Sequence, residues 1–333
     1  MRNVTVLVSD RIYFDDIVKQ YETIFKSTLN AYVKFTVVPE EVCLKDEKKI
    51  SNLFSNAEII LLSDQSVRRW AHLISNNTKW IQYTWAGVEM LLQNDKYREI
   101  LKEHTITRAG GIFGPSMAEY VIGAIVAMEK GFPRFYKQQM EAVWKSPPSR
   151  CRNLSSLTIG ILGLGDIGMH VARACSHFGM TVYGLKRTTS HCENVERVFT
   201  MDELPEILRI SDYICNILPS APETKNILSG EMLQLCAQRK AKFINIGRGD
   251  VVDENILIKA IEKGWISEAF LDVFIDEPLD KSSPLWYMEN VYITPHAAAE
   301  INWPKLVARL FFCNLQKYLN NQTLDYVVHW RDF

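Results

Sequence analysis

The chain has 333 residues, of which 47% are hydrophobic and 23% charged, and this length suffices for two domains of roughly 100–200 residues each. The formal net charge of −1 favours binding neither to nucleic acid nor to an anionic membrane surface. There is no apolar run of the roughly 18 residues that a membrane helix needs, and the N-terminus turns polar too soon for a secretion signal. The seven cysteines show no C-x-x-C pattern. We therefore expect reduced thiols, no metal site and a cytoplasmic protein.

The first hundred residues alternate short β-rich runs with amphipathic stretches. The runs predict strands at Val4–Val8, Val33–Val38, Glu58–Leu62 and Trp80–Tyr83, and the stretches predict helices at Ile17–Phe25 and Glu47–Phe54. This alternation predicts a small parallel α/β unit. A long apolar-periodic helix is predicted next, over residues 117–143, and Pro147-Pro148 lie in the segment that breaks it.

A second α/β series follows. Its predicted strands are Leu157–Leu162, Thr181–Leu185, Asp212–Leu218, Lys242–Ile246, Ala269–Val273 and Val291–Ile293. The helices between them are predicted to begin near Asp166, Met201, Ser229 and Asp253, with Ser229 and Asp253 as N-caps. Six strands joined by crossover helices predict a doubly wound sheet.

The amphipathic stretch Asn302–Leu319 has no obvious place in this second sheet. If it packs on the first domain, that domain is discontinuous. The predicted fold is therefore α/β with two Rossmann-like doubly wound domains. A flavodoxin-like substrate domain spans 1–110 and 300–333, and a dinucleotide-binding domain spans 111–299.

The most informative motif is Gly163-Leu164-Gly165-Asp166-Ile167-Gly168, which follows a predicted strand and opens a predicted helix. In a dinucleotide-binding turn the first glycine allows the tight turn, the second lets the backbone approach the pyrophosphate, and the third allows close contact between helix and strand. The N–H groups at the helix N-terminus favour bound phosphate. The motif alone is weak evidence, but its context is right on both sides.

Lys186 and Arg187 end the second strand of this unit, where an NADH enzyme carries an acidic residue that reads the ribose 2′-hydroxyl. Two cations followed by Thr188 suit a 2′-phosphate instead, because phosphate favours Arg and nearby Lys. This pattern predicts that NADP(H) is preferred, with NAD(H) a possible second cofactor. A solvated strand end is the alternative interpretation.

Three later segments lie at or just beyond predicted strand ends, and they bring Arg248, Glu277 and His296 to the same sheet edge. Each residue alone is most often a surface charge, a loop residue or a structural histidine. Together they form a working set for carbonyl reduction. The cation polarises the carbonyl, the imidazolium donates a proton, and the carboxylate keeps the imidazole protonated.

These motifs, in this order and over essentially the whole chain, resemble those of the D-2-hydroxyacid dehydrogenases, and within them the glyoxylate/hydroxypyruvate reductases. The resemblance implies that Arg248, Glu277 and His296 are the catalytic triad. It also implies that the cofactor is bound by Gly163, Gly165, Asp166, Ile167, Gly168, Lys186, Arg187, Thr188, Leu218, Pro219, Ser220, Ile246, Gly247 and Asp272. Glu277 argues against the formate dehydrogenases, which have Gln there.

In the first domain, the segment Trp85-Ala86-Gly87-Val88 is similar to the family's substrate loop. The resemblance implies that the backbone N–H groups of Ala86, Gly87 and Val88, together with Arg248, bind the substrate carboxylate and that Trp85 limits substrate size. A core aromatic is the alternative for Trp85. The implied reaction is NADPH-linked reduction of glyoxylate or hydroxypyruvate to the 2-hydroxy acid.

Two rival functions stay open from the sequence. One is a reductase of bulkier 2-keto acids, and the other is a dinucleotide-sensing interaction protein similar to the corepressors that share this fold. The resemblance also implies a homodimer, for which residues 132–155 form a candidate arm, with a buried intrachain helix as the alternative. A small 2-keto or 2-hydroxy acid is the expected partner.

Overall fold

The computed structural model describes residues 2–29, 31–38, 47–146, 151–299 and 303–330. The predicted helix break at Pro147-Pro148 lies outside these residues. The chain divides into two compact units: unit 1 is Met1–Ile112 with Ile301–Phe333, and unit 2 is Phe113–Glu300.

Unit 1 is built on a five-stranded sheet in which every pairing between strands is parallel, in the order β2-β1-β3-β4-β5. This is the flavodoxin-like order, which confirms the predicted fold class. The strands are β1 Arg2–Val8, β2 Ala31–Val37, β3 Ile59–Leu62, β4 Trp80–Tyr83 and β5 Thr105–Thr107. All four residues of β3 are buried, as expected for a central strand covered on both faces.

The helices of unit 1 include one from the C-terminal part of the chain. They are α1 Arg11–Gln20, α2 Glu47–Ser55, α3 Asp64–Trp70, α4 Glu89–Gln93, α5 Asp95–Leu101 and α11 Trp303–Leu319. The predicted helix at Ile17–Phe25 begins earlier than expected and ends in a π-helical turn, Tyr21–Phe25. On α11, the Phe311 ring stacks on Trp80 with 5.2 Å between centroids, so this helix shares the core of unit 1.

Unit 2 contains a seven-stranded parallel sheet in the order β12-β11-β10-β9-β6-β7-β8. The strands are β6 Thr158–Leu162, β7 Thr181–Leu185, β8 Arg197–Phe199, β9 Tyr213–Asn216, β10 Ala241–Asn245, β11 Ile266–Leu271 and β12 Val291–Ile293. The strand order reverses between β6 and β9. A doubly wound sheet binds its ligands at the carboxyl ends of the strands beside such a reversal.

The helices of unit 2 are α6 Gly114–Lys130, α7 Phe132–Met140, α8 Asp166–His177, α9 Leu204–Ile210 and α10 Glu254–Glu262. The single helix predicted over 117–143 is wrong. Gly131 adopts a left-handed φ of 69° between α6 and α7, and Pro133 starts the new helix in its first turn. A glycine in this conformation ends one helix, and a proline shortly after it favours the first turn of the next.

In unit 2 one further prediction is wrong, and one strand was missed. The helix expected to begin at Ser229 is only a 3₁₀-helix, Met232–Cys236, and Glu231 rather than Ser229 is its N-cap residue. The edge strand β8 was not predicted, and neither was β5 in unit 1. Asp253 does cap α10, because its side chain accepts a hydrogen bond from the Asn255 N–H. Among the described residues, none of the helices has the length and apolar character needed to cross a membrane.

Candidate active site

The glycine-rich turn joins β6 to α8 at the reversal point of the sheet in unit 2. Gly163 has φ of 108°, a conformation that L side chains rarely adopt, and a Cβ there would approach the Ile217 carbonyl to 3.1 Å. A Cβ on Gly168 would lie 2.1 Å from the Gly163 carbonyl oxygen, closer than real atoms approach. Both glycines are therefore required by the protein's own packing.

Gly165 differs, because a Cβ on it would meet no atom of a described residue within 4 Å, and its φ of −83° suits any residue. The open space lies at the N-terminus of α8, which no side chain in the described part of the chain caps. An uncapped helix N-terminus beside an open glycine suits a phosphate group. The residues present thus fit a dinucleotide pyrophosphate.

The predicted 2′-phosphate residues follow β7, next to this turn. The N–H groups of Gly163 and Leu164 both donate to the Leu185 carbonyl, at 3.1 and 3.0 Å, which fixes the turn against the end of β7. The Arg187 guanidinium lies 3.2 Å from a Glu223 carboxylate oxygen, with both side chains more than half exposed. Lys186 donates to the Ser190 hydroxyl at 3.2 Å, and Thr188 is exposed.

Two buried amides, which the sequence reasoning did not single out, hold the loops after β9 and β10. The Asn216 side-chain oxygen accepts from the Leu218 N–H, and the Asn245 oxygen accepts from the Gly247 N–H, both at 3.2 Å. The Asn245 amide donates to the Arg248 carbonyl at 3.1 Å and the Asn216 amide donates to Asn245 at 2.8 Å. The only signal in the sequence is an asparagine that ends each apolar strand.

The predicted cofactor residues on these two loops differ in burial. Leu218, Ile246 and Gly247 are buried and Pro219 is exposed. Ser220 donates to the Asp250 carboxylate at 2.6 Å.

His296 and Glu277 form a pair at the carboxyl edge of the same sheet. The His296 Nδ1 lies 2.7 Å from a Glu277 carboxylate oxygen, and the other oxygen accepts from the Phe274 N–H at 3.0 Å. This bond raises the pKa of His296 above its ordinary value, although burial opposes it. Burial raises the pKa of Glu277, but the bonds from His296 and Phe274 outweigh it and hold that pKa below its usual value. The charge of Arg248 lowers both pKa values, which puts the third predicted residue within electrostatic reach of the pair.

Asp272, which was expected to face the cofactor, is 1% exposed. One of its carboxylate oxygens accepts from Thr294 at 2.5 Å and from the Ala297 N–H at 2.7 Å, and the other accepts from the Ala298 N–H at 2.9 Å. Its backbone carbonyl accepts from the His296 N–H at 2.9 Å. Asp272 therefore organises the loop that carries His296.

In unit 1, the predicted substrate loop follows β4. The N–H groups of residues 86–88 donate no hydrogen bond to any residue within the described ranges. Arg108 donates to the Ala86 carbonyl at 3.2 Å, and Trp85 is 37% exposed with its ring edge-to-face against Trp303. The loop thus presents unbonded donors, as an anion site needs.

A parallel doubly wound sheet, a glycine-rich turn at its reversal point and an imidazole–carboxylate pair at the same edge define a dinucleotide-dependent oxidoreductase. Residues 122–298 match the family model described as D-isomer specific 2-hydroxyacid dehydrogenase, NAD binding domain. The chain belongs to the D-isomer specific 2-hydroxyacid dehydrogenase family, which confirms the resemblance found in the sequence.

Curated relatives and solved structures agree. Glyoxylate/hydroxypyruvate reductase A of Yersinia enterocolitica is 33% identical over 201 residues, which cover 60% of this chain and 63% of that protein. Glyoxylate/hydroxypyruvate reductase B of Escherichia coli is 32% identical over 254 residues, which cover 73% and 75%. A D-isomer specific 2-hydroxyacid dehydrogenase of Xanthobacter autotrophicus, solved with NADPH and MES, is 28% identical with a TM-score of 0.80, covering 100% of this chain and 99% of that one.

Proposed function

We propose that this protein reduces small 2-keto acids, of the glyoxylate and hydroxypyruvate kind, to 2-hydroxy acids with NADPH as the hydride donor. The observation that carries the proposal is the 2.7 Å contact between His296 and Glu277, at the sheet edge that also bears the glycine-rich turn. The two reductases named above support the substrate class.

The proposed roles follow from the charges. The dinucleotide that the glycine-rich turn would hold would supply the hydride for reduction of the carbonyl carbon. Arg248 holds the keto acid and draws electron density towards the carbonyl oxygen, while His296 gives that oxygen a proton. Glu277 keeps the imidazole protonated and fixes its tautomer, since its bond to Nδ1 leaves Nε2 to act on the substrate. Solvent then returns a proton to His296.

Unit 1 is proposed to supply carboxylate binding through the N–H groups of Ala86, Gly87 and Val88, which have no acceptor in the described residues. Trp85 would limit the size of the substrate. Reduction of bulkier 2-keto acids is the second candidate, because Trp85 is partly exposed rather than buried in a core. The corepressor-like role has no observation in its favour beyond the shared fold.

Preference for NADPH is part of the proposal, with NADH as a weaker alternative. Lys186, Arg187 and Thr188 follow β7 next to the glycine-rich turn and are the residues proposed to bind the 2′-phosphate. The relative of Xanthobacter autotrophicus was solved with NADPH, which supports this preference. Arg187→Ala should raise the KM for NADPH at least tenfold more than that for NADH, because a charge-assisted bond to phosphate is lost. Equal increases for both cofactors would contradict the assignment.

The decisive experiment is a panel of 2-keto acids, from glyoxylate to aromatic ones, assayed with NADPH and with NADH. We expect the smallest acids to show the highest kcat/KM. His296→Ala should lower kcat by roughly 10²–10⁴-fold, as expected for loss of a general acid. Retention of near-normal turnover in this variant, or preference for aromatic substrates, would overturn the corresponding part of the proposal.

We also propose a homodimer and a cytoplasmic location. The helix α7 supports the dimer, because none of its residues is buried although it carries large apolar side chains, and Trp144 beyond it is fully exposed. A second copy of the chain would cover this arm. Sedimentation at micromolar concentration should show a dimer, and Trp144→Ser should weaken it. Buried thiols such as Cys175 and Cys215 suit a reducing compartment, which cell fractionation would test.

A further inference from the structure

A chain of hydroxyl groups leads from α6 to the loop that carries His296. The Tyr120 hydroxyl contacts the Thr294 hydroxyl, and Thr294 donates to the Asp272 carboxylate at 2.5 Å. The Tyr120 ring packs edge-to-face on Phe270, with 5.6 Å between centroids and an angle of 89° between planes. Tyr120 is thus fixed both at its ring and at its hydroxyl.

The direction of these hydrogen bonds follows from the partners. The Thr294 hydroxyl donates to the Asp272 carboxylate, and a hydroxyl group has only one proton to give. Thr294 therefore accepts from Tyr120, and the donor order is Tyr120 to Thr294 to Asp272. The same Asp272 carboxylate also accepts from the backbone N–H groups of Ala297 and Ala298.

The loop needs such support, because His296 itself has a left-handed φ of 55°. A residue with a Cβ holds this conformation only when its surroundings over-determine it. Here the contacts are the Asp272 carbonyl, which accepts from the His296 N–H, and the Asp272 carboxylate, which binds the next two N–H groups. Any loosening of Asp272 thus reaches the imidazole.

We propose that Tyr120 is a positioning residue for His296: through Thr294 it orients Asp272, and Asp272 holds the His296 backbone so that the imidazole meets Glu277. This rests on the proposed function only in giving His296 the role of proton donor. Tyr120 does not touch the reacting atoms in this proposal and acts through the loop alone.

The test compares two tyrosines that pack on the same ring. Tyr292 also lies against Phe270, with 5.8 Å between centroids, but its hydroxyl has no hydrogen bond to a described residue. Tyr120→Phe and Tyr292→Phe each remove one hydroxyl and keep the aromatic ring. We expect Tyr120→Phe to lower kcat about tenfold, since small misplacements of a catalytic group are costly, and Tyr292→Phe to leave kcat unchanged.

A second readout is the protonation of His296. The charged groups that face its imidazole are Glu277 and Asp272, which raise its pKa, and Arg248, which lowers it. A loop that relaxes away from Glu277 loses the largest raising contribution, so Tyr120→Phe should lower the pKa of His296. NMR titration of the His296 ring proton, assigned with His296→Gln, measures this shift without any turnover.

Thr294 supplies the coupling test. Thr294→Ser should recover most of the kcat that Thr294→Val loses, because serine keeps the hydroxyl. The double variant Tyr120→Phe/Thr294→Val should be no slower than Thr294→Val alone, because Tyr120 acts through Thr294.

The proposal is overturned if Tyr120→Phe and Tyr292→Phe behave alike in kcat and in the His296 titration. It is also overturned if the losses in the double variant simply add. If the wild-type protein reduces no 2-keto acid, the proposed function fails, but the NMR comparison still decides whether Tyr120 positions His296.

Discussion

His296 combines two properties: a left-handed backbone and a half-exposed side chain bonded to a carboxylate. The first is unfavourable by about 1–3 kcal/mol. It persists because the loop is tied to Asp272 by three backbone N–H groups, those of His296, Ala297 and Ala298. The side chain is therefore accessible to a substrate while its backbone is fixed.

Glu277→Gln should shift the pH dependence of reduction. Because the bond to Glu277 raises the pKa of His296, the imidazole stays protonated to higher pH in the wild-type protein. Glutamine removes this charge, so the fall of kcat/KM with rising pH should begin at lower pH. The measurement is a kcat/KM profile between about pH 5 and pH 9, where histidine titrates. An unchanged alkaline limb would mean that Glu277 does not control the imidazole.

Functional residues that belong to a sequence motif can be predicted from the sequence, whereas residues that act through packing in the fold cannot. His296 and Glu277 were predicted together, and the structure brings them into contact. Tyr120 carries no such signal. It lies 174 positions from Thr294, and only the fold brings the two hydroxyl groups together.

Among the elements, α6 and α7 show how one glycine divides a continuous apolar pattern. The pattern over 117–143 predicts one helix, but Gly131 is left-handed, and the amphipathic spacing of α7 resumes on a new axis. The signal was present in the sequence as Gly131 followed by Pro133. Periodicity alone does not report a change of direction.

Gly131→Ala should destabilise unit 2 by about 1 kcal/mol, because a Cβ is disfavoured at positive φ even though it would meet no neighbour. Gly123 lies inside α6 and is equally open, so Gly123→Ala is the matched control. It should stabilise by about 0.5–1 kcal/mol through helix propensity. Urea unfolding of the two variants measures the difference, and shifts of the same sign would contradict the assigned role of Gly131.

A buried ionic cluster joins α6 to the opposite edge of the sheet, at the amino ends of β9 and β10. The Glu129 carboxylate accepts from Arg152 at 2.6 Å and from the Tyr213 hydroxyl at 2.6 Å, and lies 3.0 Å from the Lys242 Nζ. Burial raises the pKa of Glu129, but these three partners outweigh it and lower the pKa to about 2. The cluster thus holds α6, which carries Tyr120, against the sheet.

Glu129→Gln should lower the free energy of unfolding by about 3 kcal/mol, because Lys242 and Arg152 each lose a buried carboxylate partner. Glu268 still contacts Lys242, and Asp212 still contacts Arg152. In the wild-type protein the folded pKa is below the unfolded one. The contribution of Glu129 is therefore complete above about pH 4.5 and is lost as the pH falls towards about 2. Urea titrations at neutral and acidic pH should show that the difference between variant and wild type shrinks in acid. A constant difference would contradict this account.

The elements that sequence reasoning missed are short. β5 and β8 have three residues each, and the predicted helix at Ser229 became a five-residue 3₁₀-helix. Such short segments are stabilised by neighbouring strands and loops rather than by their own pattern. The longer strands were predicted within a few residues because they are mostly apolar runs, and α8 because its apolar residues follow the helical period.

For the whole molecule, the main consequence of the architecture is that each unit has a sheet and a core of its own. The glycine-rich turn belongs to unit 2 alone. A cofactor bound there stabilises unit 2 directly, by an amount set by its affinity and concentration.

Calorimetry should show this linkage. With NADPH at a hundred times its dissociation constant, the stabilisation is about 2.7 kcal/mol. NADH at the same concentration should produce a smaller upward shift in Tm if the 2′-phosphate is recognised. Equal shifts would contradict the proposed NADPH preference, and no shift with either would contradict dinucleotide binding.

The three glycines of the turn are required for two different reasons, packing and cofactor binding. Gly163 and Gly168 are constrained by neighbouring backbone, whereas a side chain on Gly165 would meet none of the residues that the structure describes. A methyl group added at position 165 should therefore leave the fold intact and occupy the space that a bound pyrophosphate needs. Gly165→Ala should therefore separate folding from cofactor binding, because the variant folds like the native protein but does not bind the dinucleotide. In a living cell, this folded variant that does not bind the cofactor would show whether the protein is needed only for the reaction it catalyses.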